Sequence, residues 1–427
     1  MMRGLYTLLL HLAIPFTVTR LWWWRGRRES AYRRNIGERF GRYAGPAQAA
    51  ADRPLIWLHA VSVGEIRGAA PLLRALRDAY PRYAILVTCT TAAGRETATQ
   101  LFGDAARIAY FPYDLPWAVG RFLDHFGPHI ALVMETEVWP NLLAACRARD
   151  VPVVLANARL SEKSARGYRL GGKLARSAFA SFAAVCAQDA GSAERLRDLG
   201  AGNVTIAGSL KFDVEPDAAK LAEGRALRTT LGARRVLLLA STREGEEKLL
   251  LDALGAPRTD RLLVLVPRHP RRFDEVAALV AARGLGLARR SRGESPDAGT
   301  ELYLGDTMGE MTLYYALADV ALIGGSFAPF GAQNLIEACA VGVPVVIGPS
   351  SYNFPEATRL ACEAQAALQV PDAAAAAAAA QALLADAERR ASMGAAGIRL
   401  CTAHRGATAR HLSVVRDALE SRARARD

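Results

Sequence analysis

From residue 55 onward, short runs of apolar residues alternate with longer segments of helical pattern. In the first half of the chain the runs are LIWLHA (55–60), AILVTCT (84–90), IALVM (130–134), VPVVLA (151–156), FAAVCA (182–187) and VTIAG (204–208). In the second half they are RVLLLA (235–240), RLLVLV (261–266), ELYLG (301–305), DVALIGG (319–325), VPVVIG (343–348) and AALQV (366–370). Apolar runs without polar alternation are typical of parallel strands that helices cover on both faces. Two sets of about six such runs predict two doubly wound, Rossmann-like α/β domains.

The boundary between the two predicted domains is expected within residues 212–232, where the sequence is charged and carries no strand signal. We place the N-terminal domain at 25–212 and the C-terminal domain at 213–427. Because ligands of open α/β sheets bind beyond the carboxyl ends of the strands, we expect the domains to face each other across one cleft. The alanine-rich tract at 372–390 predicts a plain surface helix, since alanine is the best helix former.

The N-terminus has the character of a membrane anchor. Residues 4–19 form an apolar run, and the triplet Trp22-Trp23-Trp24 follows it. The next basic side chains are Arg25, Arg27, Arg28, Arg33 and Arg34. This order is typical of a membrane–water boundary, so residues 1–24 are predicted to be the anchor and the positive-inside rule places the rest in the cytoplasm. A helix that lies on the membrane or on the protein, and a cleaved signal peptide, are the alternatives.

Composition narrows the class of protein. The chain has 427 residues, of which 51% are hydrophobic and 22% are charged, and these values exclude a disordered chain. A single apolar run approaches the length of a membrane span, which argues against a polytopic membrane protein. The six cysteines are scattered and form no C-x-x-C pair, so neither a zinc site nor a disulfide framework is indicated. The net charge of +12 favours anionic partners, although a bias of base composition toward Arg and Ala also explains part of it.

Acidic side chains follow two predicted strands of the N-terminal half, with Glu65 after the first and Glu135 and Glu137 after the third. Paired carboxylates in a cleft suit general base catalysis, and a helix N-terminus would keep Glu65 ionised through the helix dipole. Lys211 follows the last strand of this half and could supply positive charge to a leaving phosphate. The alternatives are an ordinary first-turn helix acid at Glu65 and a surface lysine at Lys211.

Basic side chains at strand ends of the C-terminal half could bind phosphate, and they are Arg243, Arg268, His269, Arg271 and Arg272. The stretch GDTMGE (305–310) offers backbone donors and acceptors to a nucleobase. Asn334 and Glu337 lie one helical turn apart, and a carboxylate there suits a ribose diol. The sequence has no G-x-G-x-x-G, Walker A, H-E-x-x-H or D-x-D-like pattern, so NAD, ATP and a metal are not favoured.

Together these motifs resemble the 3-deoxy-D-manno-octulosonic acid (Kdo) transferase family of the lipopolysaccharide pathway. The matching stretches, in family order, are GERFGRY (37–43), HAVSVGE (59–65), YDLPWAVGRFL (113–123), METEVWPNL (134–142), NARLSEKS (157–164), GSLKFD (208–213), VPRHPRRF (266–273), GDTMGEM (305–311) and NLIEA (334–338). The resemblance implies a GT-B glycosyltransferase that moves Kdo from CMP-Kdo onto a lipid A precursor (lipid IVA), with no metal or cofactor. It further implies a location at the cytoplasmic face of the inner membrane, whose anionic lipids suit the basic flank.

The resemblance also implies roles for individual residues. Glu65 corresponds to the family's general base, and Glu135 and Lys211 to residues that stabilise the transition state of an inverting transfer. The implied CMP contacts are Pro267, Arg268, Met308, Gly309, Glu310, Asn334, Leu335, Ile336 and Glu337. The chain has Gly331-Ala332 where a glycine pair is expected, and Ala there costs free energy if its φ is positive.

Two other classes of function fit parts of the sequence. A nucleotide-sugar epimerase or hydrolase of GT-B-like fold would share the two domains but would need neither an acceptor nor a membrane anchor. A nucleic-acid-binding protein would explain the charge, yet the basic runs lack the interleaved aromatic side chains of such proteins. We therefore expect no nucleic acid partner.

Overall fold

The computed structural model describes residues 2–25, 27, 33–45, 53–256 and 258–424. The chain divides into two compact units, unit 1 with residues 1–213 and 405–427, and unit 2 with residues 214–404. The first break falls one residue after the boundary placed from sequence. The predicted C-terminal domain, however, extended to residue 427, whereas the last helix of the chain belongs to unit 1. Its apolar side chains Val414 and Val415 join the core of unit 1, which is why the chain returns there.

Unit 1 is built on a seven-stranded parallel sheet. Its strands are β1 (Leu55–His59), β2 (Ala84–Cys89), β3 (Arg107–Tyr110), β4 (Ile130–Met134), β5 (Val153–Ala158), β6 (Ala184–Ala187) and β7 (Val204–Ile206). Their spatial order is β3-β2-β1-β4-β5-β6-β7, and Leu58 of β1 lies between Val87 of β2 and Leu132 of β4. The direction of the strand order reverses between β1 and β4, so the ligand crevice of this sheet is expected there.

Unit 2 repeats this architecture with a second parallel sheet of seven strands. Its strands are β8 (Arg235–Thr242), β9 (Arg261–Pro267), β10 (Leu287–Arg289), β11 (Leu302–Leu304), β12 (Val320–Ile323), β13 (Val345–Ile347) and β14 (Ala367–Gln369). The spatial order is β10-β11-β9-β8-β12-β13-β14, which reverses between β8 and β12. Both sheets are therefore doubly wound, as the apolar runs predict.

Helices connect the strands in both units. Those of unit 1 that precede unit 2 are α1 (Met2–Thr19), α2 (Val63–Ala79), α3 (Ala92–Phe102), α4 (Pro116–Phe126), α5 (Pro140–Arg147), α6 (Glu162–Leu170), α7 (Gly172–Phe179) and α8 (Ala190–Asp198). Those of unit 2 are α9 (Ala218–Thr230), α10 (Glu246–Leu254), α11 (Phe273–Ala281), α12 (Met311–Leu317), α13 (Ile336–Val341), α14 (Pro355–Glu363), α15 (Ala373–Ala385) and α16 (Ala387–His404). The chain then returns to unit 1 as α17 (Ala407–Arg424).

The strands are buried on both faces. Leu55 and Trp57 of β1 join one apolar cluster of unit 1, whereas Ile56 and Leu58 join the other, because successive side chains of a strand point to opposite sides. Every residue of β1 is buried, as expected for a central parallel strand.

All twelve predicted runs form strands, but two edge strands were missed. β3 and β10 each lie at the outer edge of a sheet and read RIAY and LAR. An edge strand with arginine in a three- or four-residue sequence has no continuous apolar run, so the periodicity gives no signal.

The alanine-rich tract is helical, but the expectation of a plain surface helix is wrong for one of its faces. α15 packs against α10 and β12, and Ala376, Ala380 and Leu383 are fully buried in the core of unit 2. The small side chains allow the helix to lie close to the sheet, and the carboxylate of Asp372 caps it by accepting the Ala375 amide at 2.8 Å.

Candidate active site

Glu65 lies in the first turn of α2, directly beyond the carboxyl end of β1. Ser62 is the N-cap of this helix, and its hydroxyl accepts the Glu65 amide at 3.4 Å. In return, the Glu65 carboxylate accepts the Val61 amide at 2.8 Å and the Ser62 hydroxyl at 2.9 Å. This reciprocal arrangement is a variant of the capping box, in which the carboxylate accepts the amide of the residue before the N-cap instead of that of the N-cap itself. Glu65 is thus a first-turn helix acid, and the same contacts hold its carboxylate in one orientation at the crevice.

The protonation of Glu65 is set by burial and by its acidic neighbours. Loss of hydration, followed by the charge of Glu135 and to a smaller extent that of Glu137, raises the pKa of Glu65 from 4.5 to about 7. The hydrogen bonds from Val61 and Ser62 oppose this rise. The expectation that the helix N-terminus keeps Glu65 fully ionised is therefore wrong near neutral pH. A carboxyl with this pKa can take up and release a proton at physiological pH.

Glu135 and Glu137 follow β4, the neighbour of β1. Glu135 has a positive φ of +57°, and its amide donates to the Ala156 carbonyl at 2.9 Å, which ties it to the end of β5. A non-glycine residue in this conformation costs about 1–3 kcal/mol, and such residues are concentrated at functional sites. Burial, with the charge of Glu135 adding to it, also raises the pKa of Glu137. The structure therefore brings all three predicted carboxylates to one crevice.

Lys211 lies in a short 3-10 helix, Leu210–Phe212, that follows β7. The hydroxyl of Ser209 accepts the Lys211 amide at 3.4 Å and begins this turn. Although β7 is an edge strand, α2 packs against the turn, and Leu210 shares an apolar cluster with Ile66 of α2. The helix that carries Glu65 thus also contacts the turn that carries Lys211.

In unit 2, Arg268 joins two of the segments predicted to bind CMP. It follows Pro267 at the buried end of β9, and its amide donates to the Thr242 carbonyl at 2.9 Å. Its guanidinium Nε donates to Oε1 of Gln333 at 3.1 Å. Since Gln333 directly precedes Asn334, this bond holds the end of β9 beside the loop that leads into α13.

The run from Asn334 to Glu337 presents two polar side chains. Nδ2 of Asn334 donates to Oε1 of Glu337 at 3.0 Å, and Oδ1 of Asn334 accepts the Ile336 amide at 3.1 Å. Leu335 and Ile336 are fully buried, so neither side chain is accessible to a ligand. Of the four predicted residues, Asn334 and Glu337 are therefore the ones whose side chains can recognise a ligand.

The segment that carries Met308, Gly309 and Glu310 offers main-chain groups. Gly309 has a φ of +83°, which turns the chain ahead of α12, and Met308 is exposed. The Glu310 carboxylate accepts Lys220 Nζ at 2.6 Å and Arg290 at 2.8 and 3.0 Å. These bonds, with Arg290 first, lower the pKa of Glu310 to about 2. A nucleobase contact at Glu310 would consequently come from its backbone.

Glu246, the first residue of α10, was missed from the sequence. Its carboxylate is fully buried and accepts four backbone amides, those of Gly325 at 2.6 Å, Arg243 and Phe327 at 2.8 Å, and Ala328 at 3.2 Å. It shapes the loop after β12 and occupies amides that could otherwise bind phosphate. An acidic residue in the first turn is common to many helices, so the sequence gives no specific signal for this role.

The N-terminal helix has one polar and one apolar side. Residues Met2–Trp24 are long and apolar enough to cross a membrane, with a mean hydropathy of 1.3 in the most apolar window. On the polar side, Tyr6 donates to Asp114 and Thr7 donates to Asn141, both at 3.0 Å. The large exposed side chains of the apolar side are Leu5, Leu8, Leu9, Leu12 and Phe16. Within the expected basic flank, Arg28 and the side chain of Arg25 lie outside the described residues.

Over the described ranges, no three His, Cys, Asp or Glu side chains are grouped so that they could hold a metal ion. That the reaction needs no metal stays a prediction.

Comparison with known proteins agrees with this architecture. Residues 34–214 match the family model of 3-deoxy-D-manno-octulosonic-acid transferase (kdotransferase), and residues 292–400 match that of glycosyl transferases group 1. The 3-deoxy-D-manno-octulosonic acid transferase of Bordetella pertussis is 46% identical over 429 residues, which cover 97% of this chain and 99% of that protein. The enzyme of the same name from Haemophilus influenzae is 38% identical over 349 residues, which cover 79% and 80%. A crystal structure of UDP-GlcNAc 2-epimerase from Neisseria meningitidis has a TM-score of 0.54 at 14% identity, covers 85% of this chain and 100% of that one, and shares the fold alone.

Two doubly wound parallel sheets, with polar side chains at each switch point and a match to glycosyl transferases group 1, define a glycosyltransferase of the GT-B fold. The resemblance drawn from the sequence motifs is confirmed by the two relatives. The chain belongs to the Kdo transferase family, and it is an enzyme that transfers Kdo. The similarity to the epimerase is limited to the fold.

Proposed function

We propose that this enzyme transfers Kdo from CMP-Kdo to a lipid A precursor in lipopolysaccharide synthesis, with inversion at the anomeric carbon and Glu65 as the general base. The observation that supports the proposal is the Glu65 carboxyl, which lies at the β1–β4 switch point and has a pKa of about 7. A sugar hydroxyl is a poor nucleophile at neutral pH. General base catalysis typically accelerates such an attack by about 10²–10⁴-fold.

In the proposed step, the Glu65 carboxylate removes the proton of the acceptor hydroxyl while its oxygen attacks the anomeric carbon of Kdo. The bond from that carbon to the CMP phosphate breaks on the opposite face, so the configuration inverts. Glu135 places negative charge next to Glu65, which suits the oxocarbenium-like charge that develops on the sugar. Lys211 supplies positive charge to the departing phosphate.

We assign the donor to unit 2. Arg268 binds the phosphate through a charge-assisted contact, and Glu337 accepts hydrogen bonds from the ribose hydroxyls. Main-chain groups of Met308, Gly309 and Glu310 are offered to the cytosine. Because Glu246 already occupies three amides of the loop after β12, the phosphate is left to side chains such as Arg268.

We place the reaction at the cytoplasmic face of the inner membrane, with α1 lying in the membrane surface and not crossing it. Tyr6 and Thr7 bind Asp114 and Asn141 of unit 1, so a spanning helix would have to break both contacts. A helix that lies in the interface keeps these contacts and buries its apolar side among the acyl chains. The arginines beside the Trp triplet suit anionic headgroups.

The experiment that tests the proposal compares Glu65→Gln with wild-type enzyme, incubated with CMP-Kdo and a tetraacylated lipid A precursor, with the product mass as readout. Gln preserves the capping box because its oxygen accepts from Val61 and its amide group donates to Ser62, yet it cannot take up a proton. We expect turnover to fall by about 100-fold or more, with the affinity for CMP unchanged. Glu194→Gln, which removes an exposed carboxylate of α8 in the same unit, is the matched control.

Two outcomes would contradict the proposal. If Glu65→Gln retains more than about a tenth of wild-type turnover, the base lies elsewhere, and Glu137 becomes the next candidate. If wild-type enzyme releases free Kdo and forms no lipid product, the reaction is hydrolysis and the acceptor assignment is wrong.

A further inference from the structure

The last helix of the chain holds the segment that carries Lys211. α17 returns to unit 1, and its start is tied to the residue that ends the 3-10 turn. The Asp213 carboxylate accepts the amide of Gly406 at 2.8 Å, and it also accepts the amide of Thr408. Asp213 is the last residue of the first segment of unit 1, and it lies two residues after Lys211. The start of α17 is thus bonded close to Lys211.

A second connection runs from α17 to the same turn through buried side chains. The Asn157 amide donates to Nε2 of His411 at 2.9 Å, and Oδ1 of Asn157 accepts the amide of Leu210 at 3.1 Å. Leu210 is the residue before Lys211. Asn157 and His411 are each 1% exposed, so water does not compete for these bonds. Their loss would leave buried polar groups unpaired.

The hydrogen bonds also define the tautomer of His411. Because Nε2 accepts from Asn157, Nδ1 carries the proton and donates to the Ala407 carbonyl at 2.7 Å. Burial lowers the pKa of His411 to about 4, so the ring is neutral at physiological pH. A neutral ring with one free lone pair matches the backbone amide of Asn157, whereas an apolar side chain of similar volume would not.

Asn157 has a positive φ of +53° at the end of β5. Glycine adopts this conformation without strain, and asparagine adopts it more readily than most other residues. Glycine, however, has no side-chain oxygen to hold the Leu210 amide. Asparagine at this position therefore accepts a strained backbone conformation, and in return its side chain holds the turn that carries Lys211.

We propose that Asn157 and His411 are positioning residues for Lys211, which fix the turn that aims its side chain without touching the substrate. This inference rests on the proposed catalytic role of Lys211. A positioning role predicts a change in kcat, because a displacement of about 1 Å in a catalytic group can cost about 100-fold in rate. A merely structural role predicts a change in stability alone.

The test uses full-length enzyme with CMP-Kdo and a tetraacylated lipid A precursor. Asn157→Gly keeps the positive φ and removes Oδ1, whereas Asn157→Asp keeps an acceptor at that place. We expect Asn157→Gly to lower kcat about tenfold or more with KM for CMP-Kdo within about twofold, and Asn157→Asp to recover most of the rate. In a Lys211→Ala background, Asn157→Gly should have no further effect, since the two changes act through one group.

Wild-type kcat in Asn157→Gly, or an equal loss in the Lys211→Ala background, would overturn the proposal. Wild-type kcat in Lys211→Ala alone would instead refute the catalytic role of Lys211, and the positioning proposal would fall with it. If Asn157→Gly does not fold, His411→Gln and His411→Leu provide the same contrast. Gln retains an acceptor for the Asn157 amide and should retain kcat, whereas Leu should lose it, and equal rates in the two variants would overturn the proposal.

Discussion

Replacing Glu65 by Gln should stabilise unit 1 relative to wild type as the pH rises, although we expect it to slow transfer by about 100-fold or more. The wild-type carboxyl is held in a crevice that disfavours its charged form, because it is largely removed from water and faces Glu135 and Glu137. Gln keeps the size of the side chain and the capping box but carries no charge. The substitution therefore removes the electrostatic cost of a buried carboxylate and leaves the local fold intact.

The magnitude follows from the pKa. Folding raises the pKa of Glu65 from 4.5 to about 7. A group with a raised pKa stabilises the fold fully below its unfolded pKa, and that contribution is lost as the pH rises through the folded pKa. Each pKa unit corresponds to about 1.4 kcal/mol, so the loss is about 3 kcal/mol in total and roughly 2.5 kcal/mol between pH 5 and pH 8. Since Gln does not titrate, the free energy of unfolding of the variant relative to wild type should rise by this amount over the same interval.

Tryptophan fluorescence reports the unfolding of unit 1, the unit that contains Glu65. All six tryptophans, at positions 22, 23, 24, 57, 117 and 139, belong to unit 1, and Trp57 is packed against Phe111 and Phe122 in its core. Thermal unfolding of both proteins in detergent at pH 5 and pH 8 should show a Tm difference that grows by about 5–10 °C. An equal difference at the two pH values would show that the Glu65 carboxyl does not have a raised pKa, and the reasoning that makes it a base at neutral pH would fail.

The pH–rate profile should have an acid limb that reports Glu65, with kcat/KM falling below about pH 7. Glu135→Gln should move this limb to lower pH, because it removes a neighbouring negative charge. An unmoved limb would mean that the two carboxylates do not interact. Arg268→Ala should weaken CMP binding about tenfold or more in a calorimetric titration, since a charge-assisted contact is worth about 1.5–3 kcal/mol, and Glu337→Ala should weaken it as well. If both variants bind CMP with wild-type affinity, the assignment of the donor site to unit 2 is wrong. Leu12→Glu should reduce cosedimentation of the full chain with vesicles that contain anionic lipid, because this face of α1 is exposed, and unchanged binding would refute the in-plane helix.

Local spacing was enough to predict the parts of the site that depend on a few consecutive residues. The residues after the first predicted strand predict a helix that opens at Glu65, and the structure has Glu65 in the first turn of α2, with Gly64 inside the helix. The glycine pair expected at 331–332 rests instead on the resemblance to the family, and Gly331 and Ala332 both have a positive φ, of +81° and +67°. Ala332 adopts this conformation although it is not glycine, which costs about 1–3 kcal/mol.

Contacts between distant segments could not be predicted in this way. His411 and Asn157 are 254 positions apart, and neither has a neighbouring residue that indicates the bond between them. The pKa of Glu65 is another case, because it depends on burial and on carboxylates that approach only when β1 and β4 pair. The dipole of α2 was predictable from the sequence, but the loss of hydration outweighs it.

Glu65 and Glu246 occupy equivalent places, each in the first turn of the helix that follows the first strand of its unit, yet they are suited to different tasks. A carboxylate has about four lone-pair sites for hydrogen bonds. Four backbone amides reach Glu246, two at each oxygen, so its capacity is filled and it serves to fix the loop after β12. Val61 and Ser62 fill two sites of Glu65, one at each oxygen, and so hold the carboxylate in place while each oxygen keeps a lone pair for a substrate proton. The position in the fold makes both residues candidates, and the number of hydrogen bonds at the carboxylate distinguishes Glu65, the proposed base, from Glu246, which fixes a loop.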